Sequence, residues 1–172
     1  KEADALPNIA CGTVSIVLGI LFLTSKKIRL KEKIVDMCLI FFMILSCIIR
    51  QLDYIWHGFH FTNMIPYRFS YLISFALVVM AFRAFMLIDF SSCWDILLAA
   101  LGSALVILFA IGTQEAYTII GTAIVALVVC TMLFLYTRRI VPKQVLLIVL
   151  AVVVIGESGA TAYIGVKTTT VT

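Results

Sequence analysis

Residues 94–111, WDILLAALGSALVILFAI, are followed by Gly112-Thr113-Gln114-Glu115 and then by residues 116–136, AYTIIGTAIVALVVCTMLFLY. The two apolar runs hold one charged side chain between them, Asp95. Neither shows the in-out alternation of a membrane barrel strand. Each comes close to the roughly 20 apolar residues that carry a helix through a hydrocarbon layer about 30 Å thick. Lipid offers no partner to an open peptide group, so such a run must close its own hydrogen bonds as a helix. The stretch reads as two membrane-spanning helices joined by a tight polar turn.

Four more runs on either side follow the same logic, at residues 9–23, 34–49, 67–88 and 144–163. The chain is therefore expected to be all-α, one polytopic transmembrane bundle of about six spans occupying residues 1–172. The composition agrees: 63% of the 172 residues are hydrophobic and 13% charged, too few charges to screen that much apolar surface from water. Mean hydropathy is +1.17. Span 34–49 is short, so Lys33 and Arg50 are expected to snorkel at its two ends. Ala99, Ala100, Gly102 and Ala104 permit close helix contact, without a well-isolated G-x-x-x-G motif.

Charge sets the direction of insertion. Lys26, Lys27, Arg29, Lys31 and Lys33 lie between the first two spans, and Arg138, Arg139 and Lys143 between the last two. Both clusters belong on the cytoplasmic side, which puts both termini outside, together with the loop at residues 50–66. The net charge of +4 comes from these clusters rather than from one basic face, so a nucleic-acid partner is excluded. The five cysteines are odd in number, lie mostly inside apolar runs and show no C-x-x-C spacing, which makes them small hydrophobes. Lys1 is not an initiator Met, no signal peptide follows it, and the last residues turn polar and β-branched. The chain reads as an excerpt of a longer protein.

Residues 50–68 are the densest in polar function. Tyr54, Trp56, Phe59, Phe61 and Tyr67 have amphipathic bodies suited to a headgroup boundary, while Arg50, Asp53, His57, His60 and Arg68 add charge and hydrogen bonds. Pro66 suits a first helical turn, and the positive end of that helix, with Arg68 one turn in, attracts anions. A lipid phosphate is the candidate ligand, held by Arg68 with Arg50, His57 or His60 completing the cradle. The plainer alternative has Arg68 snorkelling to bulk headgroups or pairing with Asp53. The two histidines stand three apart without the H-E-x-x-H arrangement, so no metal site is expected. Asp53 is the only acid in this loop and the one in-chain candidate for a catalytic base, ranked below an ion-pairing role with Arg50 or Arg68.

Deeper in the spans, Asp36 and Arg83 fall at similar depth on antiparallel neighbours and are expected to form an ion pair, with a proton-relay or substrate-pathway role as the alternative. Glu157, in Gly156-Glu157-Ser158-Gly159, either faces a polar cavity or marks an early helix exit. No Gly-rich phosphate loop, nucleophile elbow or acidic calcium loop occurs, so no cofactor is implied.

Trp56-His57-Gly58-Phe59-His60, then Asn63, then Pro66-Tyr67-Arg68-Phe69-Ser70-Tyr71-Leu72 and Ser74-Phe75, resemble the signature of the YfhO family of bacterial membrane proteins. Pro7-Asn8-Ile9-Ala10-Cys11-Gly12, Glu157 and Ala162-Tyr163 are weaker echoes of it. The resemblance implies a large multi-pass protein related to GT-C glycosyltransferases, in the cell membrane of a Gram-positive bacterium. It implies a polyprenyl-phosphate sugar donor, undecaprenyl phosphate in kind, and a cell-envelope acceptor such as lipoteichoic acid. It also implies a catalytic carboxylate in an early outer loop upstream of Lys1, which leaves the catalytic residue of this chain unassigned. Membrane lipids and a partner glycosyltransferase complete the expected contacts. Two other readings stand beside this one: a transporter or flippase for a lipid-linked sugar, with Asp36, Arg83 and Glu157 along the route, and a non-catalytic bundle that positions a catalytic partner.

Overall fold

The computed structural model describes residues 11–56, 58, 70–112 and 114–169. Among these residues seven α-helices follow one another: α1 (Thr13–Thr24), α2 (Leu30–Ile48), α3 (Arg50–Trp56), α4 (Ser70–Met86), α5 (Cys93–Ala110), α6 (Ala116–Thr137) and α7 (Lys143–Thr169). A single 3₁₀ turn, Ile88–Phe90, links α4 to α5. No β-strand forms among the described residues, and the chain is a helical membrane bundle.

Helices α5, α6 and the Lys143–Tyr163 part of α7 are long and apolar enough to cross a membrane. The remaining expected spans fall short for separate reasons. Helix α1 is wholly apolar in character but only 12 residues long, about 18 Å at 1.5 Å per residue. Helix α4 has 17 described residues, Ser70–Met86, inside the expected span 67–88. Helix α2 has 19 residues, but its first two turns carry Lys31, Glu32, Lys33 and Asp36.

The core lies around α1, which packs against α4, α5, α6 and α7. Val17, Leu21 and Phe22 of α1 are completely buried, together with Ala99 of α5 and Val129 and Leu133 of α6. Small residues let α5 approach: a Cβ placed on Gly102 would come within 2.7 Å of the Ile20 side chain of α1. The outer faces of α5, α6 and α7 instead present Leu101, Leu105, Phe109, Ile120, Leu127, Val152 and Ile155 outward. That apolar exterior is the distribution expected where lipid is the solvent.

The helix ends divide into two levels. At one level, Lys27 lies 5.9 Å from the Phe90 ring centroid, and the Thr24 hydroxyl donates to the Asp95 carbonyl at 3.2 Å. Lys143 Nζ lies 2.9 Å from Asp89 Oδ2 there as well. The α1–α2, α4–α5 and α6–α7 connections therefore share one end of the bundle, the alternation that the Lys and Arg clusters imply. Ser92 starts α5 at this end with a capping box: its hydroxyl accepts from Asp95 N–H at 3.3 Å and Asp95 Oδ2 accepts from Ser92 N–H at 2.9 Å. This explains a buried carboxylate at the foot of an apolar helix.

Candidate functional site

The described residues carry four charged constellations, and the sequence points to a further one in residues 50–68.

The first is at the N-terminal end of α1. Gly12 precedes the helix in the left-handed region, φ 76°, and α1 has no cap of its own. Glu157 of α7 supplies one from across the bundle. Its two carboxylate oxygens accept Thr13 N–H at 2.8 and 2.9 Å, and Thr13 Oγ1 donates to Oε1 as well. A Cβ on Gly12 would sit 3.2 Å from Glu157 Oε2, so glycine serves both the backbone angle and the approach of the carboxylate. Glu157 is 14 residues above Lys143 on α7, about 21 Å along the axis, while α7 continues to Thr169. Of the two readings of the Gly156–Gly159 patch, early helix exit is ruled out: the helix runs straight through it. The carboxylate meets the positive end of a helix dipole from within an apolar helix, where an unpaired charge would be costly in a membrane.

The second is its counterpart at the other end of α1. Lys33 Nζ donates to the carbonyls of Leu23 and Ser25, both at 2.6 Å. Rather than reaching out to headgroups, Lys33 caps the C-terminal carbonyls of α1, where a cation is favoured by the dipole. The central helix is thus held at each end by an ion of matching sign, from α7 at one end and α2 at the other.

The third joins α2 to α4. Arg83 Nη1 lies 2.8 Å from Asp36 Oδ2, while Nη2 pairs with Glu32 Oε2. The guanidinium also stands 5.1 Å from the centroid of Phe22, within cation–π range. Arg83 and Asp36 come together, and Glu32 joins them as a partner the sequence reading missed. Its signal was available: Glu32 and Asp36 are four apart and so share a helix face. At the end of the bundle nearby, Asp89 accepts from the Tyr136 hydroxyl and from Lys143 Nζ. The Tyr136 bond first, then the Lys143 bond, holds the Asp89 carboxyl below its ordinary value.

Of the outer-loop candidates, Arg50 and Asp53 lie three apart on α3, which follows α2 after a one-residue break at Ile49. His57, His60 and Arg68 lie outside the described residues, as do the side-chain positions of Arg50 and Asp53. The helix ends that flank the loop, the last turn of α2 and the first of α4, are at the level opposite the Lys-bearing connections. Among the described residues no group of three or more His, Cys, Asp and Glu side chains is arranged to hold a metal ion.

Compared with known proteins, residues 1–171 match a family described as bacterial membrane protein YfhO. No curated protein and no solved structure matches the chain.

Proposed function

The chain belongs to the YfhO family of bacterial membrane proteins, and from that premise we propose that it is the membrane portion of a GT-C-like glycosyltransferase acting on a cell-envelope polymer. The donor is a sugar on a polyprenyl phosphate, undecaprenyl phosphate in kind, and the acceptor a polymer such as the lipoteichoic acid of a Gram-positive envelope. The observation that carries the reading is the polar stretch that runs from α3 into the loop before α4. Two arginines, two histidines and five aromatic side chains fall within residues 50–68, between helix ends opposite the Lys-bearing connections.

The chemistry asks this loop for two things. In the transfer, an acceptor oxygen bonds to the anomeric carbon as the bond from that carbon to the phosphate oxygen breaks. The lipid phosphate leaves with the electron pair and gains charge. A planar guanidinium at Arg68, with Arg50, His57 and His60 as further donors, suits that developing anion. The aromatic residues suit the boundary at which the polyprenyl chain and the sugar part. Deprotonation of the acceptor belongs to a carboxylate beyond residues 1–172, with Asp53 the in-chain alternative.

The transport reading depends on Asp36, Arg83 and Glu157 lining a route. Asp36 and Arg83 are engaged with each other and Glu157 with α1, which favours structural roles for all three. In the full-length protein, Arg68→Ala is expected to abolish glycosylation of the envelope polymer at unchanged membrane abundance, and Arg68→Lys to restore part of it. Unchanged glycosylation in Arg68→Ala would remove the donor site from this loop. Movement of a labelled lipid-linked sugar across vesicles without sugar transfer would replace the enzyme with a transporter.

A further inference from the structure

We propose that the groove between α5 and α6 at the Lys-bearing end of the bundle is a binding site for a phospholipid with a net-negative headgroup. The groove has a volume of about 490 Å³ and is lined by Trp94, Leu97, Ala100, Cys130, Phe134 and Arg138, among others. Such a volume falls within the range usual for ligand sites, roughly 300–1,000 Å³. Its walls are largely apolar, and the hydroxyl of Thr131, which also lines it, is spent on the Leu127 carbonyl at 2.7 Å.

What selects the occupant is the charge at the mouth. Arg138 is exposed, its guanidinium 5.2 Å from the Phe134 ring centroid. The turn after α6 fixes that place. Arg139 adopts φ 60°, Arg139 N–H donates to the Tyr136 carbonyl at 2.9 Å, and Ile140 N–H to the Leu135 carbonyl at 3.0 Å. These two bonds and the left-handed residue make a Schellman closure with Arg138 as the C-cap. A non-glycine residue in that conformation is strained, so the geometry is held rather than drifting. Among the described residues no carboxylate pairs with Arg138, and the neighbouring acid, Asp89, is occupied by Tyr136 and Lys143.

A largely apolar slot with a cation and an exposed tryptophan at one end is complementary to one acyl chain along its length and a phosphate at that end. Trp94 is 73% exposed there, as suits a side chain at the membrane boundary. A helix of another protein would fill the slot but leave the arginine without its counter-charge. The site lies at the level opposite the outer loop and does not rest on the proposed transfer activity.

The test uses Trp94 as its own probe. With Trp56→Phe it is the remaining tryptophan of the chain. The chain is reconstituted in phosphatidylcholine, and either phosphatidylcholine or phosphatidylglycerol with brominated acyl chains is titrated in, since bromine quenches tryptophan on contact. The expected result is a relative affinity about fivefold in favour of phosphatidylglycerol, as one interfacial cation provides. Arg138→Gln should reduce it to one, while Arg138→Lys keeps a preference. Equal quenching by both lipids in the parent chain would overturn the proposal without recourse to a variant. Absence of quenching by either would overturn it in favour of a protein occupant, and an undiminished preference in Arg138→Gln would assign the selectivity elsewhere.

Discussion

Replacing Glu157 with alanine tests the arrangement at the end of α1 most directly. The substitution removes both oxygens that accept Thr13 N–H and the acceptor of the Thr13 hydroxyl. Losing a side-chain cap costs about 1 kcal/mol in most helices, within a range of roughly 0.5–2. Loss of a charge facing the dipole adds about 0.3–1 kcal/mol, and up to about 2 where the site is partly buried. These figures describe overlapping contacts and do not add in full, so the net loss is about 2–3 kcal/mol. The cost of holding a carboxylate in hydrocarbon does not enter, because α7 remains inserted in both states of a detergent unfolding equilibrium. Glu157→Gln keeps one acceptor and gives up the charge, for a loss of about 1 kcal/mol. The assay is reversible unfolding of the chain in mixed micelles, followed by circular dichroism. Glu115→Ala is the internal control: Glu115 also stands at a helix N-cap, that of α6, but its side chain makes no capping bond. A double-mutant cycle with Thr13→Val should return a coupling energy above about 0.5 kcal/mol, as contacting residues do. If Glu157→Ala and Glu115→Ala lost the same stability, the carboxylate would not be holding α1.

Two other predictions follow from the remaining charges. Arg83→Met leaves Glu32 and Asp36 facing each other without a cation and should cost about 2 kcal/mol, between the limits for exposed and buried pairs, with part recovered in Arg83→Met/Asp36→Asn; an additive cycle would show that the pair is not coupled. Asp89, its carboxyl held below the ordinary value, contributes stability present above the unfolded carboxylate range near pH 4 and lost as pH falls through the depressed value. The melting temperature of the chain should accordingly exceed that of Asp89→Asn at neutral pH, the gap closing below about pH 4, and a gap independent of pH would refute the linkage.

The parts of the fold legible in the sequence are those where local chemistry and hydropathy agree. Residues 94–111 and 116–136 were expected as spans, and the helices run Cys93–Ala110 and Ala116–Thr137. Ser92 and Asp95 close one boundary and Gly112 to Glu115 another, all readable in place. Helix α7 shows where local signals fail. Gly156-Glu157-Ser158-Gly159 reads as an interruption near an expected end at 163, yet the helix continues to Thr169. Glycine is tolerated in a span because hydrocarbon gives the backbone no better partner than the helix, and Glu157 finds its own partner 144 positions away. Helix α2 begins at Leu30, earlier than the expected 34, because Glu32 and Lys33 are helical residues working on α4 and α1 rather than a loop. No pattern within a single segment could reveal that Lys33 and Glu157 serve the same helix. For residues 50–68 the sequence offers residue types but no geometry, since their meaning depends on which side chains converge.

The shortness of α1 links these observations. A central helix of about 18 Å cannot bring both its ends to water across a layer of about 30 Å, so the free N–H or C=O groups of at least one end must be met by protein. Glu157 and Lys33 meet them, and each ion's own cost in the membrane is offset by the dipole end it faces. Arg83, lying against Phe22 of the same helix, is met in turn by Glu32 and Asp36. The ionic groups within these helices are thus committed to seating α1 and binding α2 to α4. Moving any of them to serve a substrate would expose a buried helix end or an unpaired carboxylate, a penalty that recurs in each turnover. That leaves the polar stretch at residues 50–68, on which the proposed chemistry rests, as the place to test for a ligand.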